Sequence, residues 1–214
     1  MKKKVIKIIL IVLLVALLIF LIDLGRKIYI ISKYTDKCKE YKNITNFYMK
    51  MNESIENKGA IVEFWRKDDL GIYKRTDNDG VRQIVYGKNN DWIIVDIIDA
   101  EGKQTKQAVK ISKSTNALTM TTPGNTSMFV DDFGDAISIA FISRITTENV
   151  DDIECYKIYM KKDWQLFINK DTLLKVRELN GNTDTGTVTY KFNKVTDEDL
   201  EIDFTGFEII ETNN

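Results

Sequence analysis

The chain has 214 residues, 43% hydrophobic and 29% charged, with three Trp, nine Tyr and ten Phe, which is enough apolar material for one core and excludes a disordered chain. Lys and Arg total 31 against 32 Asp and Glu, but seven basic residues and one acidic residue fall in the first 33 positions, leaving 24 basic and 31 acidic groups beyond them, a net of −7. A domain of that sign is repelled by nucleic acid and by anionic headgroups, so nucleic acid is excluded as a partner.

The first predicted element fixes the location of the rest. Met1-Lys2-Lys3-Lys4 precedes an apolar stretch from Val5 to Ile22, broken only by Lys7. As a helix, these eighteen residues span about 27 Å at roughly 1.5 Å per residue. That matches most of a hydrocarbon core of about 30 Å, with Lys7 placed to snorkel. The run ends in Leu21-Ile22-Asp23-Leu24-Gly25-Arg26 with no small-residue cleavage pattern, and no lipobox precedes Cys38. The expectation is a single-pass anchor, the alternative being a signal cleaved near Gly25. The lysines place the N-terminus in the cytoplasm and the remainder outside it, at the cell membrane. The chain divides accordingly into residues 1–33 (basic tip, anchor and juxtamembrane segment) and 34–214 (extracytoplasmic domain). Heavy use of Lys, Ile and Asn with a single Pro points to an AT-rich bacterial genome.

Beyond the anchor, Tyr34, Cys38, Tyr41, Ile44, Tyr48, Met51 and Ile55 recur at steps of three and four, predicting a helix that Gly59 ends. From Gly59 the period becomes two. Strands are predicted over Ala60–Lys67, Gly71–Arg75, Val81–Tyr86, Asp91–Ile98 and Gln104–Ser112, joined by connections too short for crossover helices and therefore antiparallel. A second helix follows, with Phe129, Phe133, Ala136, Ile137, Ala140, Phe141 and Ile145 on its apolar face and Thr126 or Ser127 as its cap. Strands resume at Ile153–Met160, Trp164–Asn169, Leu174–Asn180, Thr187–Phe192 and Leu200–Phe204. Several are apolar on both faces, whereas Val188, Tyr190 and Phe192 alternate with polar neighbours. The fold class expected is α+β: a single antiparallel sheet curved around helices, whose concave side holds either a helix or an apolar cavity.

Two stretches carry a family resemblance. Residues 79–94, from Asp79-Gly80 through Trp92-Ile93-Ile94, resemble a strand, a "dGk-x-W" turn and a strand; residues 164–177, from Trp164 to Arg177, resemble a "v-W-I-D-x-x-T-x-L-P-x-R" hairpin. Both are similar to the LolA/LolB family of lipoprotein carriers. Lys175 stands where that family often has proline, and Asn169 where it often has aspartate. The resemblance implies a LolA-like incomplete β-barrel with an N-terminal helix and a lid-like helical insert, whose apolar cavity accommodates acyl chains. The GerS-type germination lipoproteins of clostridia are a narrower Gram-positive relative, and imply a non-catalytic partner of a cortex peptidoglycan enzyme in sporulation or germination. Those proteins carry a lipidated cysteine where this chain has a membrane helix.

The chemistry legible in the residues is sparse. Histidine is absent, which removes Ser-His-Asp and Cys-His nucleophile systems and the usual zinc sites. No glycine-rich phosphate loop is present, and no cofactor, metal or enzymatic activity is expected. Asp131, Asp132 and Asp135 fit the first turn of the second helix, where carboxylates meet the helix dipole favourably. Asp151, Asp152 and Glu154, like Asp197, Glu198 and Asp199, read as solvated turns. The compartment permits a Cys38–Cys155 disulfide, the alternative being two separate buried thiols. The candidate site is the apolar interior, lined or closed by Val62, Phe64, Ile84, Tyr86, Ile93, Val95, Phe129, Phe133, Ile137, Phe141, Leu166 and Ile168. Two functions follow: a tethered interaction protein that binds another envelope protein, or a binder of a lipid or lipoprotein acyl chain.

Overall fold

The computed structural model of the protein describes residues 2–52, 59–77, 80–88, 91–96, 103, 105, 107–111, 123, 133–161, 163–181 and 183–212. It is an α+β protein with a long apolar helix at its start and a large antiparallel sheet that is not closed into a barrel.

Helix α1 (Lys2–Tyr41) runs unbroken for 40 residues. Its first half exposes Val5 to Ile22 on all sides and is long and apolar enough to cross a membrane. Its second half carries one buried stripe, Ile30, Ile31, Tyr34 and Cys38, at the three-four spacing that puts side chains on one helical face. The apolar run and the stripe that enters the core are therefore parts of one rod. A boundary drawn after Lys33 would cut Ile30 and Ile31 away from the core they fill.

The helix stops at Tyr41, where Lys42 N–H bonds to the Cys38 carbonyl and Asn43 Nδ2 donates to the Lys39 carbonyl. The next segment is strand β1 (Asn46–Asn52), so the helix expected to continue towards Gly59 ends early. Phe47 of β1 is fully buried on one sheet face, while Tyr48 packs on the other. A strand buried on both faces hides its period of two, and Ile44, Tyr48 and Met51 match a helical spacing by coincidence. Ile55 lies outside the described residues.

Strands β2 (Ile61–Lys67), β3 (Leu70–Asp77), β4 (Gly80–Lys88), β5 (Asp91–Asp96) and β6 (Gln107–Ile111) follow as an antiparallel meander. The β3–β4 turn closes on the pair Asp77–Gly80, with φ of 116° at Gly80, a conformation that costs glycine little. Helix α2 (Phe133–Ile142) ends earlier than expected. Ile145 belongs instead to strand β7 (Arg144–Val150), which pairs with β8 (Ile153–Lys161). Asp151 and Asp152 join those two strands with φ of 47° and 65°, left-handed values that match the twist of a tight hairpin. Strands β9 (Trp164–Asn169), β10 (Lys175–Asn180), β11 (Thr183–Asp184) and β12 (Thr187–Phe192) complete the region. The last expected strand is not at Leu200–Phe204. A 3-10 turn occupies Glu198–Leu200, and the strand, β13, runs from Glu208 to Thr212.

The strands form two sheets rather than one. The larger has the order β12-β1-β2-β3-β4-β5-β6-β13, antiparallel except for the parallel β6–β13 pair. The smaller, β11-β10-β9-β8-β7, is antiparallel throughout. The main core lies where α1 and α2 cover one face of the smaller sheet: Ile30, Ile31, Tyr34 and Cys38 meet Ala136, Ile139 and Ala140 over Ile145, Ile158, Leu166 and Ile168. Val150, Cys155, Phe167 and Val176 form a cluster on its other face. Each fully buried aliphatic side chain contributes roughly 1.5–3 kcal/mol, so the head half of α1 is a principal source of stability.

Candidate functional site

The described ones among the expected cavity residues separate into four groups. Val62 and Phe64 are buried on the face of the larger sheet that holds Phe47, with Tyr73 and Val85 beside them. Ile84 and Tyr86 pack on the opposite face, against Ile72, Val195 and Leu200. Cross-strand pairing explains the division: Phe64 faces Tyr73, which faces Val85, whereas Trp65 faces Ile72, which faces Tyr86 and then Ile93. One residue of register decides the face, so these positions do not line a common concavity. Val95 pairs with Ile84 through the backbone.

Leu166 and Ile168 have no exposed surface and lie beneath α1 and α2, where the helices fill the space a ligand would need. Phe133 and Phe141 point away from that core, 65% and 58% exposed, and Ile137 is half-buried. Phe129 lies outside the described residues, as do Asp131 and Asp132. Cys38 belongs to the helix-side core and Cys155 to the cluster on the far face of the same sheet. The sheet stands between them, and both thiols are free. Burial pushes both thiols up, Cys155 to about 11.

A cleft of ≈ 220 Å³ opens where the two sheets approach, between the β9–β10 hairpin and β12. Ile153, Leu174, Val176 and Val188 give it apolar walls, and Asn169, Thr172, Lys175, Thr189 and Tyr190 surround them. Most of its polar groups already have structural tasks. Asn169 Oδ1 accepts from the N–H groups of Asp171 and Thr172 at 2.8 and 2.9 Å, the arrangement that shapes an Asx turn. Lys175 Nζ donates to Glu178 Oε2 at 3.3 Å, and Trp164 Nε1 donates to Glu178 Oε1 at 3.0 Å, which satisfies that buried carboxylate. The volume falls below the roughly 300–1,000 Å³ of ordinary ligand pockets. The hairpin likened to the carrier family is thus held by its own turn chemistry.

The acidic groups are similarly committed. Asp151 accepts from Thr187 Oγ at 2.6 Å, Asp197 pairs with Lys67 at 2.8 Å, and Asp199 receives the Thr196 N–H at 2.8 Å. Asp135 sits exposed in the first turn of α2. Arg177 clasps Asp184 with two nitrogens, and this guanidinium holds the Asp184 carboxyl below its ordinary range.

The feature that pattern reading missed is the outer edge of the larger sheet. Strand β13 pairs with β6 on one side, supported by a Lys110–Glu211 ion pair at 3.0 Å. Among the described residues no strand pairs with its other side. Ile209 and Ile210 are 47% and 40% exposed there. The signal available was the short run Phe207-Glu208-Ile209-Ile210-Glu211, whose adjacent isoleucines between acids give no alternation.

No family model and no curated protein matches this chain. Among solved structures, it is similar to an uncharacterized conserved protein from Thermus thermophilus, at 9% identity and a TM-score of 0.49, over 85% of this chain and 98% of that one.

Proposed function

We propose that this protein is a non-enzymatic interaction protein, anchored in the cell membrane by α1 and holding its head outside the cytoplasm to bind another envelope protein. The observation that carries the reading is the outer edge of β13, beside which no strand pairs among the described residues. A strand paired on one side only, as β13 is with β6, presents a row of backbone donors and acceptors on its other side, and its exposed isoleucines add apolar contact for an incoming strand. Continuity of α1 from the apolar run into the core supports the tether, because it gives the head a fixed stem rather than a flexible linker. Within this reading, the LolA/LolB and GerS-type resemblance makes an envelope or cortex peptidoglycan enzyme the partner of choice.

A photo-crosslinking residue at Ile209, activated in native membranes, tests this. One dominant envelope protein should be recovered, and Ile210→Pro, which removes a backbone donor, should reduce its yield. Recovery of abundant bystanders alone would count against it. Solvent extraction of the purified protein followed by mass spectrometry tests the acyl-chain alternative. A stoichiometric lipid would displace partner binding as the primary role.

A further inference from the structure

Helix α2 is apolar on more sides than its packing explains. Ala136, Ile139 and Ala140 turn inward onto α1 and the smaller sheet, while Phe133, Phe141 and Ile142 are 65%, 58% and 65% exposed. The position of this surface identifies what covers it. The Phe141 ring lies 6.1 Å from the ring of Phe20, which belongs to the apolar run of α1. The charges that end that run begin at Asp23, which pairs with Lys27 at 2.9 Å and Arg26 at 3.2 Å. Phe20 is three residues before Asp23, about 4.5 Å deeper along the helix at 1.5 Å per residue. Arg26 also donates to the Ile145 carbonyl at 3.0 Å, tying the strand after α2 to the same level of the stem.

We infer that the outer face of α2, led by Phe141 and Ile142, is seated in the headgroup–acyl boundary of the bilayer that α1 crosses, so that the head rests on the membrane. The occupant is lipid because the patch is continuous with the lipid-facing surface of the span and reaches below the residues that mark its polar limit. Short helices with an aromatic and aliphatic face lie in that boundary. The polar groups of α2 are compatible with this depth: Ser138 Oγ is satisfied by the Gly134 carbonyl at 3.0 Å, and Asp135 lies six residues from Phe141, nearer the other end. The inference rests on the reading of α1 as a membrane span.

Single cysteines carrying an environment-sensitive fluorophore test it in the full chain, reconstituted in phosphatidylcholine–phosphatidylglycerol vesicles with and without spin-labelled lipid. The sites are Val15→Cys in the span, Ile142→Cys on α2 and Asp171→Cys at the hairpin beside Tyr41, whose hydroxyl donates to the Thr172 carbonyl at 3.1 Å. Tyr41 is nineteen residues past Ile22, so this last site stands about 28 Å along the rod from the end of the apolar run. The Ile142 label should be quenched by the lipid probe, as the Val15 label is, while the Asp171 label is not. Phe141→Cys should repeat the Ile142 result and serves if that variant folds poorly. An Ile142 label that behaves like Asp171, or one shielded from water yet untouched by the lipid probe because protein covers it, overturns the inference and leaves the span standing. An unquenched Val15 label overturns both.

Discussion

Two halves of one helix use similar aliphatic side chains in opposite ways. From Val5 to Ile22 the side chains point in every direction and stay about half exposed or more, from 48% at Val15 to 72% at Ile22. From Leu24 to Tyr41 a single stripe is buried, with Ile31 at 0% and Tyr34 at 1%, and the other sides are mostly polar. Among the described residues the first half has little protein against it beyond Phe141 beside Phe20, and it suits a lipid solvent; the second is built for a water-soluble core. The backbone does not register the change, since one hydrogen-bonded rod serves both. Cutting the chain where its hydropathy changes is therefore safe only at Asp23, not at Tyr34.

The largest effect expected from this contrast comes from truncation. A soluble chain beginning at Asp23 should unfold cooperatively, whereas one beginning at Tyr34 loses the buried Ile30 and Ile31 and should be weaker by roughly 3–6 kcal/mol, read from denaturant midpoints. Point substitutions sharpen the comparison. Ile31→Ala should destabilise the head by about 2–5 kcal/mol, while Leu14→Ala in the span should change it by less than about 0.5 kcal/mol, both measured on the full chain in micelles. The buried thiols set a smaller, pH-dependent term. Cys155 is raised from its ordinary 9.0 to about 11, so its neutral form favours the folded state below pH 9 and that contribution is lost between pH 9 and about 11. The expected slope is at most about 1.4 kcal/mol per pH unit across that window, and Cys155→Ala should flatten it. Smallest is the Arg177–Asp184 clasp, which is partly open to solvent. Asp184→Asn should cost about 1 kcal/mol or less near neutral pH. Because the Asp184 pKa is lowered, this stabilisation is present above the ordinary carboxylate range and disappears as pH falls through the lowered value, where wild type and variant should converge.

What the sequence makes legible follows from how much each segment depends on neighbours. The apolar run, the β2–β5 strands and the β8–β9 and β9–β10 hairpins declare themselves through local period and turn residues, as with Asn169 capping its own turn. Strand β1 reads as helix because Phe47 is buried on one face and Tyr48 half-buried on the other, which erases alternation. Strand β7, Arg-Ile-Thr-Thr-Glu-Asn-Val, has only two buried apolar positions, Ile145 and Val150, and owes its conformation to pairing with β8. The expected cavity residues mix the two faces of the larger sheet because face assignment requires register, a nonlocal property that Phe64 opposite Tyr73 and Trp65 opposite Ile72 supply only once the strands are paired. The edge at Ile209 and Ile210 is invisible in the sequence for the same reason: it is defined by the pairing of the described strands, which leaves β13 outermost.

In the function proposed, α1 carries a folded head across the membrane to the extracytoplasmic side. Asp171→Cys places a reactive thiol on the exposed hairpin tip, while the buried Cys38 and Cys155 contribute little background. Intact cells treated with a membrane-impermeant maleimide should modify this cysteine as completely as lysed cells do. Modification that appears only after lysis would put the head in the cytoplasm and contradict the account.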